Sequence, residues 1–571
     1  MELNLGIIQK LKLLGKFLRH QFEQYQLRTN EYEVVQTSCG QIRGCKFNNV
    51  YREYGQYYSF EGIPFAKPPL GELRFRAPQP AEPWQGVLDC TKCRSKPLQY
   101  DYVTKRVEGS EDCLYLNVYT KKLKNEKPLP VMVWFYGGGF HFGEASRTYY
   151  CPDYLMQKDV ILITFNYRLG IFGFLSLDDP DLNIPGNAGI KDQVMALKWI
   201  KENIHNFNGD PNNITLFGQS AGASSVHLLT LTEQTKGLFH KVILHSGSVY
   251  CPWAYTENRN LAYKNAIHLG YQGIKNDKKI LEFFKNKNPK DLVVPDLNVL
   301  TKEDLFNGET LNYMPVVEPY VTADCIASKP HEELVENSWG NEIPFIVGTT
   351  TFEGLLYTSL VKKYPFLIDD ITDFVNLLPQ KIKSTHSHEK LKEMGLKLKE
   401  IYFDGQQPNS KDNFNQFLTL LSHKGFLHDT LRTIRDRRRY AKNTATYLFS
   451  FNFDSEFFNH FRINCCGPTV RGVCHADDLA YFFYGAVPDK LDKNCKEYQC
   501  LEQMIGMWCS FALTSNPNCD EIKSVKWQPL EDFVGAPKCL IVDKELQYAE
   551  LPEYDKVRIW DKFYEENTDL K

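Results

Sequence analysis

Short, continuous apolar runs alternate with helical patterns along this chain. Residues 130–136 read PVMVWFY, 160–165 VILITF, 214–217 ITLF, 242–245 VILH, 343–347 IPFIV and 446–453 TYLFSFNF. A strand covered on both faces needs apolar side chains on both, so it reads as an unbroken apolar run. Between the second and third runs, Ile190, Val194, Leu197, Ile200 and Ile204 recur at helical spacing. They predict a helix over 190–206, closed by the turn residues Asn208, Gly209, Asp210 and Pro211. Strands alternating with helices predict an α/β fold, a mostly parallel central sheet with helices on both faces. The stretches 276–341 and 366–442 are polar and helix-patterned. They read as helical insertions capping the sheet, because no Pro/Gly/Ser-rich linker sets them apart, and 28–571 reads as one domain.

The first 27 residues carry a different pattern. Leu3, Ile7, Leu11, Leu14, Leu18, Phe22 and Tyr25 recur every three or four positions and share one face of a helix. Lys10, Lys12, Lys16 and Arg19 interrupt every apolar run there, which is unlike a secretory signal. No 18-residue apolar stretch exists, so no membrane span is expected. The expectation is an intracellular, cytoplasmic protein. For the helix two readings fit equally: it packs on the body, or residues 1–25 lie on a membrane or lipid-droplet surface.

Composition narrows the class. The 67 Lys and Arg nearly balance 70 Asp and Glu, for a net charge of −3, which argues against a nucleic-acid partner. Sixteen cysteines are scattered without a paired CxxC or an HExxH pattern. No metal or organic cofactor is implied. Cys90 or Cys93 lies within reach of Cys113 along the chain, and the sequence leaves their pairing open.

The candidate chemistry starts at Gly218-Gln219-Ser220-Ala221-Gly222, a G-x-S-x-G pentapeptide between a strand pattern and a helix pattern. Such a turn strains the serine backbone, presents its hydroxyl and needs glycine on either side. Gly137, Gly138 and Gly139 follow directly on the strand VMVWF, and without side chains their amides can approach a developing oxyanion. A serine nucleophile needs a base, and the base an orienting acid. Glu353 stands just past the run IPFIV, and His475 on a loop before an apolar run. The alternatives are a solvated surface Glu, and a His that caps a helix or binds a metal with Asp477 and Asp478.

Long motifs in a fixed order carry a resemblance. They are SFEGIPFAKPPLGELRF (59–75), SEDCLYLNVY (110–119), YGGGF (136–140), NYRLGIFGFLS (166–176), PGNAGIKDQVMALKWIKENI (185–204), FGQSAGASSVHLL (217–229) and GVCHADDLAYFF (472–483). With these the chain resembles the type-B carboxylesterase and cholinesterase family, most closely the insect α-esterases. The resemblance implies an α/β-hydrolase fold and a serine carboxylesterase acting on hydrophobic esters and binding organophosphates. A juvenile-hormone or lipid-ester hydrolase is the narrower alternative. It implies Ser220 as nucleophile, Glu353 as acid and His475 as base, with Gly138, Gly139 and Ala221 as oxyanion donors. Ser246 is similar to a buried serine of the catalytic network, and Trp253 falls where relatives line the acyl pocket. Arg74 with Glu111, and Arg168 with Asp192, resemble structural ion pairs. Gln219 departs from the Glu of most relatives, which argues against choline esters. Rival readings are a catalytically dead adhesion relative and a slow-turnover scavenger.

Overall fold

The computed structural model describes residues 7–102, 104–124, 126–255, 260–295, 299–306, 311–533 and 535–565. Helix α1 (Ile7–Leu27) leads into strands β1 (Arg28–Thr37), β2 (Gly40–Asn48), β3 (Gln56–Pro64) and β4 (Tyr115–Thr120). Next come β5 (Leu129–Phe135), β6 (Ile161–Phe165), helix α2 (Ala188–Asn203), β7 (Gly209–Gln219), helix α3 (Ala221–Leu231) and β8 (Lys241–His245). The chain ends through β9 (Phe345–Thr350), β10 (Thr446–Phe451), helices α4 (His460–Cys466) and α5 (Lys496–Thr514), β11 (Lys538–Val542) and β12 (Gln547–Glu550). The strands form a 13-stranded sheet in the order β1-β2-β3-β4-β6-β5-β7-β8-β9-β10-β11-β12, with the short strand Val87–Asp89 beside β2.

From β6 to β11 every neighbouring pair is parallel. Strands β5 to β10 are the apolar runs of the sequence, β11 is not among them, and β5, β6, β8, β9 and β10 are buried along their whole length. The antiparallel strands β1 to β4 at one end and β12 at the other complete this α/β-hydrolase sheet.

The insertions are tied to the sheet. In 276–341, Glu318 accepts from Lys191 Nζ of α2 at 3.1 Å and Val316 O from Asn187 Nδ2 at 2.9 Å. In 366–442, Arg437 donates to the carbonyls of Gly340 and Ile343, both at 2.7 Å, just before β9. Arg74 grips Glu111 at 2.5 and 2.8 Å, and Arg168 grips Asp192 at 2.8 and 2.6 Å. Cys90, Cys93 and Cys113 are free thiols.

Helix α1 sits on the body through the face opposite to its apolar stripe. Leu13, His20 and Leu27 are buried, whereas Leu11, Leu14, Leu18, Phe22 and Tyr25 are 55–77% exposed; Leu3 lies outside the described residues. Polar bonds hold the seat. Lys16 Nζ donates to Val487 O at 2.9 Å, Arg19 pairs with Asp489, and Tyr484 Oη donates to Glu23 at 2.6 Å. Among the described residues no helix is long and apolar enough to cross a membrane.

Candidate active site

Ser220 stands at the turn from β7 into α3 with φ 57° and ψ −127°. An L-residue rarely occupies that region, and the surrounding packing shows why the turn needs glycines. A Cβ on Gly222 would come within 2.0 Å of Phe135 O, and one on Gly218 within 2.6 Å of the Gly222 backbone. The turn is held from behind, where the Ser220 amide donates to His245 O at 2.9 Å.

The glycine loop leaves the neighbouring strand. Because β5 and β7 pair in register, Phe135 opposite Gly218, the loop emerges beside the serine. Gly138 (φ 111°) and Gly139 (φ 59°) turn it sharply, and a Cβ on Gly138 would meet Phe142 O at 2.0 Å. The Gly138 carbonyl is taken by the amides of His141 and Phe142, at 3.0 and 3.2 Å. Among the described residues the amides of Gly138, Gly139 and Ala221 donate to no backbone carbonyl.

Glu353 follows β9 and is fully buried. Its Oε1 accepts from Ser246 Oγ at 2.5 Å and from the Thr350 amide at 2.7 Å, and its Oε2 meets His475 Nδ1 at 2.5 Å. A carboxylate on Nδ1 holds the proton there and leaves Nε2 with its lone pair. The acid and base loops are stitched together, since the Phe352 amide donates to Val473 O at 2.9 Å. The ring of Phe426 lies 4.8 Å from that of His475.

His475 Nε2 is met by the side-chain amide of Gln219 at 2.9 Å. The sequence-based expectation put the Ser220 hydroxyl in that position. Among the described residues that hydroxyl makes no hydrogen bond to the imidazole, although it faces the same cavity from the next residue along. Asp477 and Asp478, weighed as partners of His475, are engaged elsewhere. Asp478 pairs with His245 Nδ1 at 2.6 Å, while Trp508 donates to His245 Nε2 at 2.9 Å. Asp477 accepts from the amides of Cys474 and Arg462 at 2.8 and 3.0 Å, and burial pushes its carboxyl up to about 8.

A cavity of about 410 Å³ joins these groups, lined by Gly137, Gly138, Gly139, Gln219, Ser220 and His475. Trp253 is on its wall, with its indole N–H on Gly425 O at 3.0 Å. Leu311, Leu356, Tyr357, Phe426 and Phe461 complete an apolar lining, and Leu13 and Phe17 of α1 form part of its rim. None of these last residues stood out in the sequence, where an apolar letter on an insertion looks the same whether it lines a cavity or fills a core. Preorganised amides opposite a strained serine, with a buried Glu–His pair alongside, suit nucleophilic acyl transfer.

The chain is similar to known proteins along most of its length. A carboxylesterase family profile matches residues 31–560. Esterase B1 of Culex pipiens is 36% identical over 534 residues, covering 93% of this chain and 98% of its own. A juvenile hormone esterase of Tribolium castaneum is 34% identical over 527 residues, 88% of this chain and 86% of its own. The crystal structure of juvenile hormone esterase from Manduca sexta, with OTFP covalently attached, superposes with a TM-score of 0.81 at 29% identity, covering 94% of this chain and all of that one.

Proposed function

We propose that this chain, which belongs to the carboxylesterase family and is a carboxylic ester hydrolase, works through Ser220 as nucleophile, His475 as general base and Glu353 as the acid that orients it. The observation that carries this assignment is the 2.5 Å contact between Glu353 Oε2 and His475 Nδ1, in the cavity onto which the strained serine opens. Ser220 Oγ attacks the ester carbonyl as Nε2 takes its proton. For that, the Gln219 amide must first rotate off Nε2, which is a side-chain motion and not a loop motion. The amides of Gly138, Gly139 and Ala221 hold the oxyanion, each contributing about 3 kcal/mol. His475 then protonates the departing alcohol and activates the water that frees the acid. The carboxylate of Glu353 stabilises the imidazolium throughout.

The apolar lining supports hydrophobic esters as substrates and organophosphates as ligands that phosphorylate Ser220. The likeness to juvenile hormone esterases supports a lipid-like ester as the narrower reading, and profiling esters of graded acyl and alcohol size separates the two. Ser220→Ala lowers hydrolysis of p-nitrophenyl esters about 10⁴-fold or more and abolishes labelling by a fluorophosphonate. Labelling retained at another residue overturns the assignment.

We further propose that α1 rests on a lipid surface. Its outward stripe of Leu11, Leu14, Leu18, Phe22 and Tyr25 is bare, with Lys12 and Arg19 exposed beside it. The same helix rims the cavity through Leu13 and Phe17, so an apolar ester leaving the lipid would meet the site directly. Vesicle flotation tests this contact.

A further inference from the structure

We propose that Gln99 is a positioning residue of the oxyanion hole: its side-chain amide holds the far end of the glycine loop and so fixes where the amides of Gly138 and Gly139 point.

Gln99 opens a short hairpin, Gln99–Asp101 paired with Arg106–Glu108, along the wall of the cavity. Its side chain is buried and turned onto Gly143. Nε2 donates to Gly143 O at 2.7 Å, and Oε1 accepts from the Gly143 amide at 2.8 Å. A carboxamide can do both at once, because it carries a donor and an acceptor side by side. Nε2 also donates to Pro97 O at 3.0 Å, so two carbonyls and one amide fix which end of the group is nitrogen.

The root of the hairpin is tightly held. The Ser110 amide donates to Lys96 O at 2.9 Å, and a Cβ on Gly109 would lie 2.2 Å from Pro97 O. Lys96 Nζ lies 3.1 Å from Glu108 and 3.9 Å from Glu144, the residue after Gly143. Beyond it, the Ala145 amide donates to Asn166 at 2.9 Å, and Ala145 O accepts from Asn117 at 2.8 Å. Gly143 is pinned between fixed points.

The contacts of Gly143 give this bracing its consequence. With φ 133°, Gly143 folds back on the start of the loop. A Cβ there would lie 2.5 Å from the Tyr136 ring and 3.0 Å from Gly137 O. Phe142 O, one residue earlier, fills the place where a Gly138 Cβ would stand. Inside the loop these approaches are backbone on backbone, with no side chain to absorb a displacement. A shift of Gly143 therefore passes to Gly137 and Gly138, and oxyanion donors act only where they are aimed at the developing charge. This inference rests on the proposed role of Gly138 and Gly139 as oxyanion donors.

Two variants of the full-length protein test it. Gln99→Met keeps the length of the side chain and removes both bonds to Gly143. Gln99→Glu can still accept from the Gly143 amide but cannot donate to its carbonyl. Each is assayed for p-nitrophenyl ester hydrolysis, with sites counted by fluorophosphonate labelling carried to completion, so unfolded molecules do not enter. Each is also inhibited with an alkyl trifluoromethyl ketone, whose carbonyl takes Ser220 Oγ to give a tetrahedral oxyanion. The expected result for both is a fall in kcat of about 10–100-fold with KM within about twofold. The Ki of the ketone should rise by the factor by which kcat/KM falls, because the ketone adduct mimics the transition state. The acid limb of the pH profile should stay in place, since the Glu353–His475 pair is untouched. Unchanged kcat, an effect confined to KM, or a fall in kcat with Ki unchanged overturns the inference. Labelling of the unsubstituted chain at a residue other than Ser220 overturns instead the active-site reading beneath it.

Discussion

The amide of Gln219 on His475 Nε2 is the contact that most sets the chemistry of this site. The Gln219 side chain brings no charge to that nitrogen. A carboxylate there would favour the imidazolium, because an opposite charge within about 4–6 Å favours the charged form of its neighbour. Gln219→Glu should therefore hold a proton on the imidazole more tightly. The acid limb of the kcat/KM profile should move up by about one pH unit, with activity at high pH retained. A profile that stays in place, or moves down, would show that residue 219 does not touch the base in the free enzyme. The sequence marked this residue because it departs from the Glu of most members of the family that the chain resembles, but its partner was not legible. Residues 219 and 475 are 256 positions apart, and the side-chain rotamer decides whether the amide or the serine faces the ring.

At the level of elements, what was legible depended on how completely each segment is buried. Strands β5 to β10 declared themselves through unbroken apolar runs, because helices and insertions leave no face to water, whereas β11 starts on the exposed Lys538 and did not. Strand β1 escaped notice for the converse reason: of its ten residues, only Val35 and Thr37 are buried, and its letters are polar. Helix α1 announced its period but not its orientation. A stripe of apolar residues ordinarily marks the side that packs inward, yet here that side faces out, and Leu13, His20 and polar bonds seat the other. The lipid-contact proposal belongs to this scale. Leu14→Glu with Phe22→Glu should abolish flotation with phosphatidylcholine–phosphatidylserine vesicles, while hydrolysis of a soluble short-chain ester and the melting temperature stay unchanged. Exposed substitutions of this kind usually change stability by less than about 0.5 kcal/mol. Flotation that persists removes the lipid surface, and a change of sedimentation in the variant would point to a second copy as the occupant.

Across the whole molecule, buried imidazoles couple stability to pH. His423, at the end of an insertion helix, accepts from or donates to Tyr402 Oη at 2.9 Å, and Trp560 of the C-terminal helix donates to the same oxygen at 2.9 Å. Burial lowers His423 to about 3. The unfolded imidazole titrates near 6.5, so the folded form gives up stability as pH falls through that value towards 3, and keeps it in full above 6.5. His423→Gln lacks this titration. The stability advantage of the unsubstituted chain over the variant should therefore shrink by about 2–3 kcal/mol between pH 7 and pH 4, measured by urea unfolding at each pH. A gap that is constant or widens on acidification would contradict the sign. The molecule also separates two tasks. The serine and the acid are fixed at strand ends whose register is locked by the sheet, whereas part of the wall, Leu311 and Phe426, comes from the insertions. Sequence change in those insertions can therefore redraw which molecules are accepted without touching the bond-breaking apparatus. A duplicated copy is then free to specialise on a new diet or poison while inheriting its reactivity intact.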